Sequence, residues 1–165
     1  MLTEICNYLK NWFNYKQPQY YGDFTIKNGT INVKTSVKKI VFSEDMGEIY
    51  TKVKSMDIKD GQYFRIIGSI FNDGVHTLDE KLTDEDFEGS VWLMAIPVDV
   101  QNAATDIKSW QDKYGGVDSD NMSPFQSESF GGYSYSKGGT SRNSASSVPT
   151  WQSIFADRLA RYKKL

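Results

Sequence analysis

Asn28-Gly29 sits between two runs that alternate apolar and polar residues, Phe24-Thr25-Ile26-Lys27 and Thr30-Ile31-Asn32-Val33-Lys34. Two residues of this kind accept the positive φ angles of a tight turn, whose twist matches that of paired strands. The pair therefore commits this part of the chain to an antiparallel hairpin, and a hairpin alone is too small to be stable. Further strands must follow. Lys38–Phe42 and Ile49–Lys54 supply weaker, lysine-rich candidates, and Gln62–Ser69 supplies the most apolar one, entered from Asp60-Gly61. Asn72-Asp73-Gly74 then turns the chain into Val75-His76-Thr77-Leu78. The run Ser90–Ile96 is short and wholly apolar, and fits either a final buried strand or the start of the next helix.

Around this β region, spanning 22–95, the period changes to that of a helix. Leu2, Ile5, Cys6, Leu9, Trp12 and Phe13 recur at three- and four-residue steps, which predicts a helix over 2–14, stopped by Pro18 and Tyr20-Tyr21-Gly22. A second helix is expected over 97–114. Pro97 suits a first helical position and Asp99 the positive end of the dipole. Val100, Ala103, Ala104, Ile107, Trp110 and Tyr114 make its apolar stripe, and Gly115-Gly116 supplies a left-handed cap.

The end of the chain reads as a third helix on a tether. Residues 138–147, Gly-Gly-Thr-Ser-Arg-Asn-Ser-Ala-Ser-Ser, hold no large apolar side chain and are expected to be a flexible linker. In 148–165, Thr150 is the expected N-cap, Trp151, Ile154, Phe155, Leu159 and Tyr162 share one side, and Arg158, Arg161, Lys163 and Lys164 load the last turns with positive charge. Two readings of that helix stand: it folds back on its own domain, or it docks in a groove of another subunit. The expected class is α+β, a small antiparallel β region flanked by an N-terminal, a central and a C-terminal helix, the last on an extended arm.

Between the central helix and the linker lies the segment 126–137. It runs Ser127-Glu128-Ser129-Phe130, then Gly131-Gly132, then the alternating Tyr133-Ser134-Tyr135-Ser136. A helix followed by a Ser-Glu-Ser, aromatic, glycine, Tyr-Ser run resembles the head-to-tail connector (adaptor, or head-completion) proteins of long-tailed bacteriophages. The likeness covers about a quarter of the chain, and the β region departs from the compact helical members of that family. The resemblance implies a structural protein of the virion neck, made in the host cytoplasm, that attaches the portal protein to a tail-side neck or tail-completion protein during the steps that follow genome packaging. It implies a homo-oligomeric, dodecameric ring, through whose channel DNA passes without sequence-specific binding. It also implies that 1–137 is the adaptor domain and 148–165 a docking helix whose Trp151, Ile154, Phe155, Arg158, Leu159, Arg161 and Tyr162 meet the portal. In that case deleting residues 149–165 would leave the rest soluble. Ser127, Glu128, Ser129, Phe130, Gly131, Gly132, Tyr133 and Tyr135 would form an extended strand pairing with neighbouring chains.

Composition narrows the other classes. With 165 residues the chain suits one domain with its own core. No run of some twenty apolar residues is present to span a membrane, and Met1–Phe13 lacks the basic start and cleavage site of a signal peptide. One cysteine, Cys6, excludes an internal disulfide. A net charge of −2 and a pI near 5.4 oppose a general nucleic-acid surface. An alternative function is a soluble β-domain binding module for single-stranded nucleic acid or a protein ligand, with Tyr63 and Phe64 stacking on bases.

Catalytic chemistry finds little support. His76 is the only histidine, expected on a strand surface, and no Cys/His set is spaced for zinc. The glycine pairs never make a phosphate-binding loop. Asp79, Glu80, Asp84, Glu85, Asp86 and Glu88 lack the spacing of a calcium loop and read as a solvated helix start capped by Thr83. No catalytic, cofactor-binding or metal-ligating residue is assigned, and the expectation is that the protein is not an enzyme.

Overall fold

A computed structural model describes residues 1–34, 37–44, 47–53, 55–114, 127–130, 133–136 and 150–164, with 127–130 and 133–136 in backbone only. The class is α+β: an antiparallel sheet with helices at the N-terminus, centre and C-terminus. Two compact units make up the chain. Trp12–Ile96 holds the main sheet; Met1–Asn11 with Pro97–Leu165 holds the helices and a separate hairpin.

The main sheet contains β1 (Gln19–Lys27), β2 (Thr30–Val33), β3 (Val37–Ser43), β4 (Gly47–Val53), β5 (Phe64–Ile67), β6 (Gly74–His76) and β7 (Glu85–Leu93), in the order β4-β3-β1-β7-β5-β6 with β2 beside β1. The Asn28-Gly29 turn is as expected: both residues have positive φ, 53° and 77°, and Lys27 pairs with Thr30 across it. Long β1 is the centre. One side pairs with β7 from Gln19↔Trp92 to Ile26↔Glu85. The other side is shared, β3 taking Gln19 to Tyr21 and β2 taking Phe24 to Lys27.

Alternation then sorts the faces. Tyr20, Phe24 and Ile26 of β1, Phe64 and Ile66 of β5, and Phe87, Val91 and Leu93 of β7 fill one core, in which the Phe24 and Phe87 rings stack at 5.2 Å. On the opposite face the Arg65 guanidinium lies 3.3 Å from the centre of the Trp12 ring and 5.4 Å from that of Trp92.

Two expectations in this unit are corrected. Thr83–Phe87 is not a helix start: Glu85 opens β7. The acids favoured a helix dipole, but pairing with β1 and burial of Leu82 and Phe87 in the sheet core decide the conformation. Ser90–Ile96, left open between strand and helix, continues β7 as far as Leu93.

In the helical unit, α1 (Leu2–Leu9) is shorter than 2–14. Lys10 takes a left-handed conformation (φ 50°), its N–H donates to the Asn7 carbonyl and that of Asn11 to the Cys6 carbonyl. Those bonds close the helix end, and Trp12 and Phe13, in phase with the stripe, belong instead to the sheet unit. The central helix, α2 (Val98–Tyr114), buries the six stripe residues expected of it. Its Gly115-Gly116 cap lies outside the described residues, as do Gly131, Gly132 and the linker 138–147.

The C-terminal stretch forms two short helices, α3 (Trp151–Ile154) and α4 (Ala156–Ala160), rather than one. Thr150 caps α3 as expected, its hydroxyl accepting from the Ser153 N–H in a reciprocal capping box. Trp151, Phe155 and Leu159 are buried, as are Ile5, Cys6 and Leu9 of α1. Tyr8 and Trp151 meet edge to face at 5.4 Å. The Lys164 N–H donates to the Leu9 carbonyl at 2.9 Å, and the Asn11 amide to the Tyr162 carbonyl at 2.9 Å. Of the two readings open for this stretch, the burial of its stripe and its bonds to α1 and Asn11 match the one in which it folds back on its own unit.

Candidate functional site

The resemblance rests on residues 127–136, which form β8 (Ser127–Phe130) and β9 (Tyr133–Ser136). These strands pair with each other, Ser127↔Ser136 through Phe130↔Tyr133, in a sheet separate from the main one. One edge of each strand is thus used within the chain, and the segment is a hairpin rather than a single extended arm.

Of the expected portal-docking residues, Trp151, Phe155 and Leu159 point into their own unit, Ile154 and Tyr162 are half-buried, and Arg161 is largely exposed. Arg158 bridges to Asp106 at 2.7 Å and to Asp99 at 3.2 Å, while Arg161 meets Asp99 at 2.5 Å. The Tyr162 hydroxyl adds a longer contact to the same carboxylate, 3.3 Å. The Arg161 hydrogen bond, with Arg158 beside it, holds the Asp99 carboxyl below the usual carboxylate range despite some loss of hydration. The cationic end of the chain is thus partly neutralised by α2. Charge that an outside acidic surface would have met is already engaged here.

A feature that sequence reasoning missed lies between β5 and β6. The Glu85 carboxylate accepts from the Ser69 hydroxyl, from the backbone N–H of Ile70 at 2.7 Å and of Phe71 at 3.3 Å, and from the Asn72 amide at 3.1 Å. Asn72 also holds Thr83 in both directions, accepting from its N–H at 2.8 Å and donating to its carbonyl at 2.9 Å. Ser69 and Asn72 are buried polar residues, and the Ser69 hydroxyl also accepts from the Asn72 N–H at 2.7 Å. The loop is therefore held rigidly, yet its tip presents Ile70, 83% exposed, and Phe71, 67% exposed. The only sequence signal was an apolar pair, Ile70-Phe71, running into a polar turn.

Burial raises the Glu85 carboxyl, but the Ser69, Ile70, Phe71 and Asn72 donors outweigh it and leave the group below its ordinary range. A folded-state value below the unfolded one contributes stability at and above the ordinary carboxylate range, and that contribution is lost as pH falls through the depressed value. Hydrogen exchange should therefore show the Ile70 and Phe71 amides protected near neutral pH. Their protection should drop only once pH falls below the ordinary carboxylate range, through the depressed value, and in Glu85→Ala it should be lost at every pH.

The remaining candidates resolve simply. His76 ends strand β6, as expected, but is half-buried rather than at the surface, with its ring nitrogens 2.8 Å from Glu80 Oε2 and 2.9 Å from the Asn72 carbonyl. The acids expected to line a helix start are dispersed: Glu85 staples the loop, Asp86 pairs with Lys34 at 2.8 Å, and Glu80 meets His76. Among the described residues no group of three or more metal-ligating side chains converges. Phe64 is fully buried, so the Tyr63-Phe64 pair cannot offer two stacking rings to bases. Among the described residues no helix is long and apolar enough to cross a membrane.

The opposite edge of the sheet is β4, which is exposed along almost its whole length and has no strand beyond it among the described residues. Tyr50 is 63% exposed there and Ile49 more than a third exposed, as is Phe42 on the adjoining β3. No protein-family profile, curated protein or solved structure matches this chain.

Proposed function

We propose that this protein is a head-to-tail adaptor of a long-tailed bacteriophage, one subunit of a dodecameric neck ring that joins the portal to a tail-side protein and continues the DNA channel. The observation that carries this reading is the placing of residues 127–136. The stretch on which the resemblance rests follows α2 and forms a small two-stranded sheet separate from the main one, each strand having an outer edge that pairs with no strand among the described residues. In this reading the hairpin is the first contact with neighbouring chains. Portal attachment falls to the outer side of α3–α4, where Ile154 is partly and Arg161 largely exposed, rather than to Trp151, Phe155 and Leu159.

The work is mechanical, and no side chain is asked to do chemistry. A phage carrying a nonsense codon early in this chain's gene is expected to package DNA but fail to attach tails, giving filled heads without tails and free DNA leaked from them. Tailed particles at the normal yield, or heads that never fill, would contradict the proposal.

A further inference from the structure

The loop between β5 and β6 is tied by two ionisable groups, Glu85 and His76. Glu85 reaches it from β7, accepting from the Ser69 hydroxyl, the Ile70 and Phe71 N–H groups and the Asn72 amide. His76, the last residue of β6, reaches it with Nε2, 2.9 Å from the Asn72 carbonyl oxygen, while Nδ1 lies 2.8 Å from Glu80 Oε2. Asn72 is thus held by Glu85 and Thr83 through its side chain, by Ser69 through its N–H and by His76 through its carbonyl.

Both partners of the His76 ring are acceptors. A carbonyl oxygen has no proton to give, and the half-exposed Glu80 carboxylate has none while it is ionised. A neutral imidazole carries one N–H and satisfies one of the two; the imidazolium donates to both. On becoming neutral the ring keeps its N–H toward the charged partner, because hydrogen bonds to a carboxylate are the stronger ones. It then turns the Nε2 lone pair on the Asn72 carbonyl. The charged groups near the ring are disposed accordingly. Glu80 meets it directly, and Glu85 reaches it through Asn72. Across the β5–β6 ladder His76 faces the uncharged Phe64, with ring centres 6.1 Å apart, while the next residue, Arg65, turns to Trp12 and Trp92 on the other face. The Asp73 carboxylate is engaged with the Gly68 N–H at 3.2 Å.

We infer that His76 is a pH latch on the Ile70–Phe71 loop: as an imidazolium it clamps the Asn72 carbonyl to Glu80, and on losing a proton it releases that carbonyl. The sign follows from the form the fold binds. Two hydrogen bonds that the unfolded chain lacks hold the protonated ring, so their contribution is present at low pH and is lost as pH rises and the ring deprotonates. Glu85 has the reverse dependence, since its donors hold the ionised carboxylate. The loop is therefore tightest within a pH window, closed below by protonation of Glu85 and above by deprotonation of His76. The exposed Ile70 and Phe71 side chains are most firmly positioned inside that window. The device needs no partner and stands apart from the neck reading.

His76 is the sole histidine, so in an untagged chain its ring nitrogens give the only imidazole signals. Long-range nitrogen–proton correlation spectra of the full chain, from mildly acidic to alkaline pH, follow its protons. Hydrogen exchange of the Ile70 and Asn72 amides, corrected for intrinsic rates, follows the loop over the same range. As the ring becomes neutral its remaining proton should stay on Nδ1, and protection of both amides should fall about three- to tenfold with the same midpoint. Glu80→Gln should move the ring's titration and the loop's transition together to lower pH. His76→Gln, which does not titrate, should abolish the upper transition and leave the lower one that Glu85 sets. A ring that titrates while both amides keep their protection would overturn the proposal. So would a neutral ring protonated on Nε2, or an upper transition that survives in His76→Gln. The measurement on the unaltered chain decides by itself, even where a substitution unfolds the unit.

Discussion

Phe155→Ala is expected to cost the helical unit about 3–5 kcal/mol, the usual range for emptying a buried phenylalanine site. Phe155 is 1% exposed and lies at the junction of α3 and α4, between Trp151 and Leu159, which are also buried. Removing all of 150–165 deletes three such side chains. At ~1.5–3 kcal/mol each, the gross loss is roughly 4.5–9 kcal/mol, comparable with the whole stability of an ordinary domain. The backbone bond from Lys164 to Leu9 and the two arginine contacts to Asp99 go with them. Such a truncated protein should aggregate or melt far below the full chain. Arg161→Ala, at a largely exposed ion pair, should shift stability by less than about 1 kcal/mol. Calorimetry on the three variants checks the order, and a truncated chain that melts like the full one would show that the helices are dispensable to the unit.

Gly89→Ala should be the most damaging single change in the sheet unit, at ~3 kcal/mol or more, the upper end of overpacking costs. A Cβ at residue 89 would stand 2.1 Å from the Ile67 carbonyl oxygen and 3.2 Å from the Phe87 ring. The obstacle is backbone on the neighbouring strand, so no side-chain rotation relieves it. β5 would have to separate from β7, giving up pairs such as Ile66↔Val91 in the core. Gly47 offers the control: nothing lies within 4 Å of its added Cβ, and only its positive φ (71°) opposes substitution. Gly47→Ala should therefore cost about 1–2 kcal/mol. Equal melting temperatures for the two variants would contradict the close approach of β5 and β7.

What was legible in the sequence was local. Asn28-Gly29 specifies a turn through two residues' own φ preferences, Thr150 caps a helix through its own hydroxyl, and the α2 stripe needs only a period. Each was found where expected. What was not legible depended on partners distant in the chain. Trp12 and Phe13 are in phase with α1, yet Lys10 ends the helix and the Phe13 carbonyl accepts from the Ala95 N–H at 2.8 Å. The acids at 84–88 look like a helix start until Glu85 is seen paired with Ile26 and holding the loop of Ile70 and Phe71. Periodicity places Trp151, Phe155 and Leu159 on one stripe, but it carries no information on whose core the stripe enters. The candidate surfaces suffered most from this. The exposed loop tip depends on Glu85, 13–16 positions further along the chain, and the β4 edge on the order of strands in the sheet.

The central claim is attachment to a portal, and sedimentation velocity of the purified portal with and without this protein tests it most directly. The account predicts that the chain, slow-sedimenting by itself, moves with the portal as a saturating, ring-stoichiometric complex. A chain that sediments alone at every concentration beside an intact portal would contradict it.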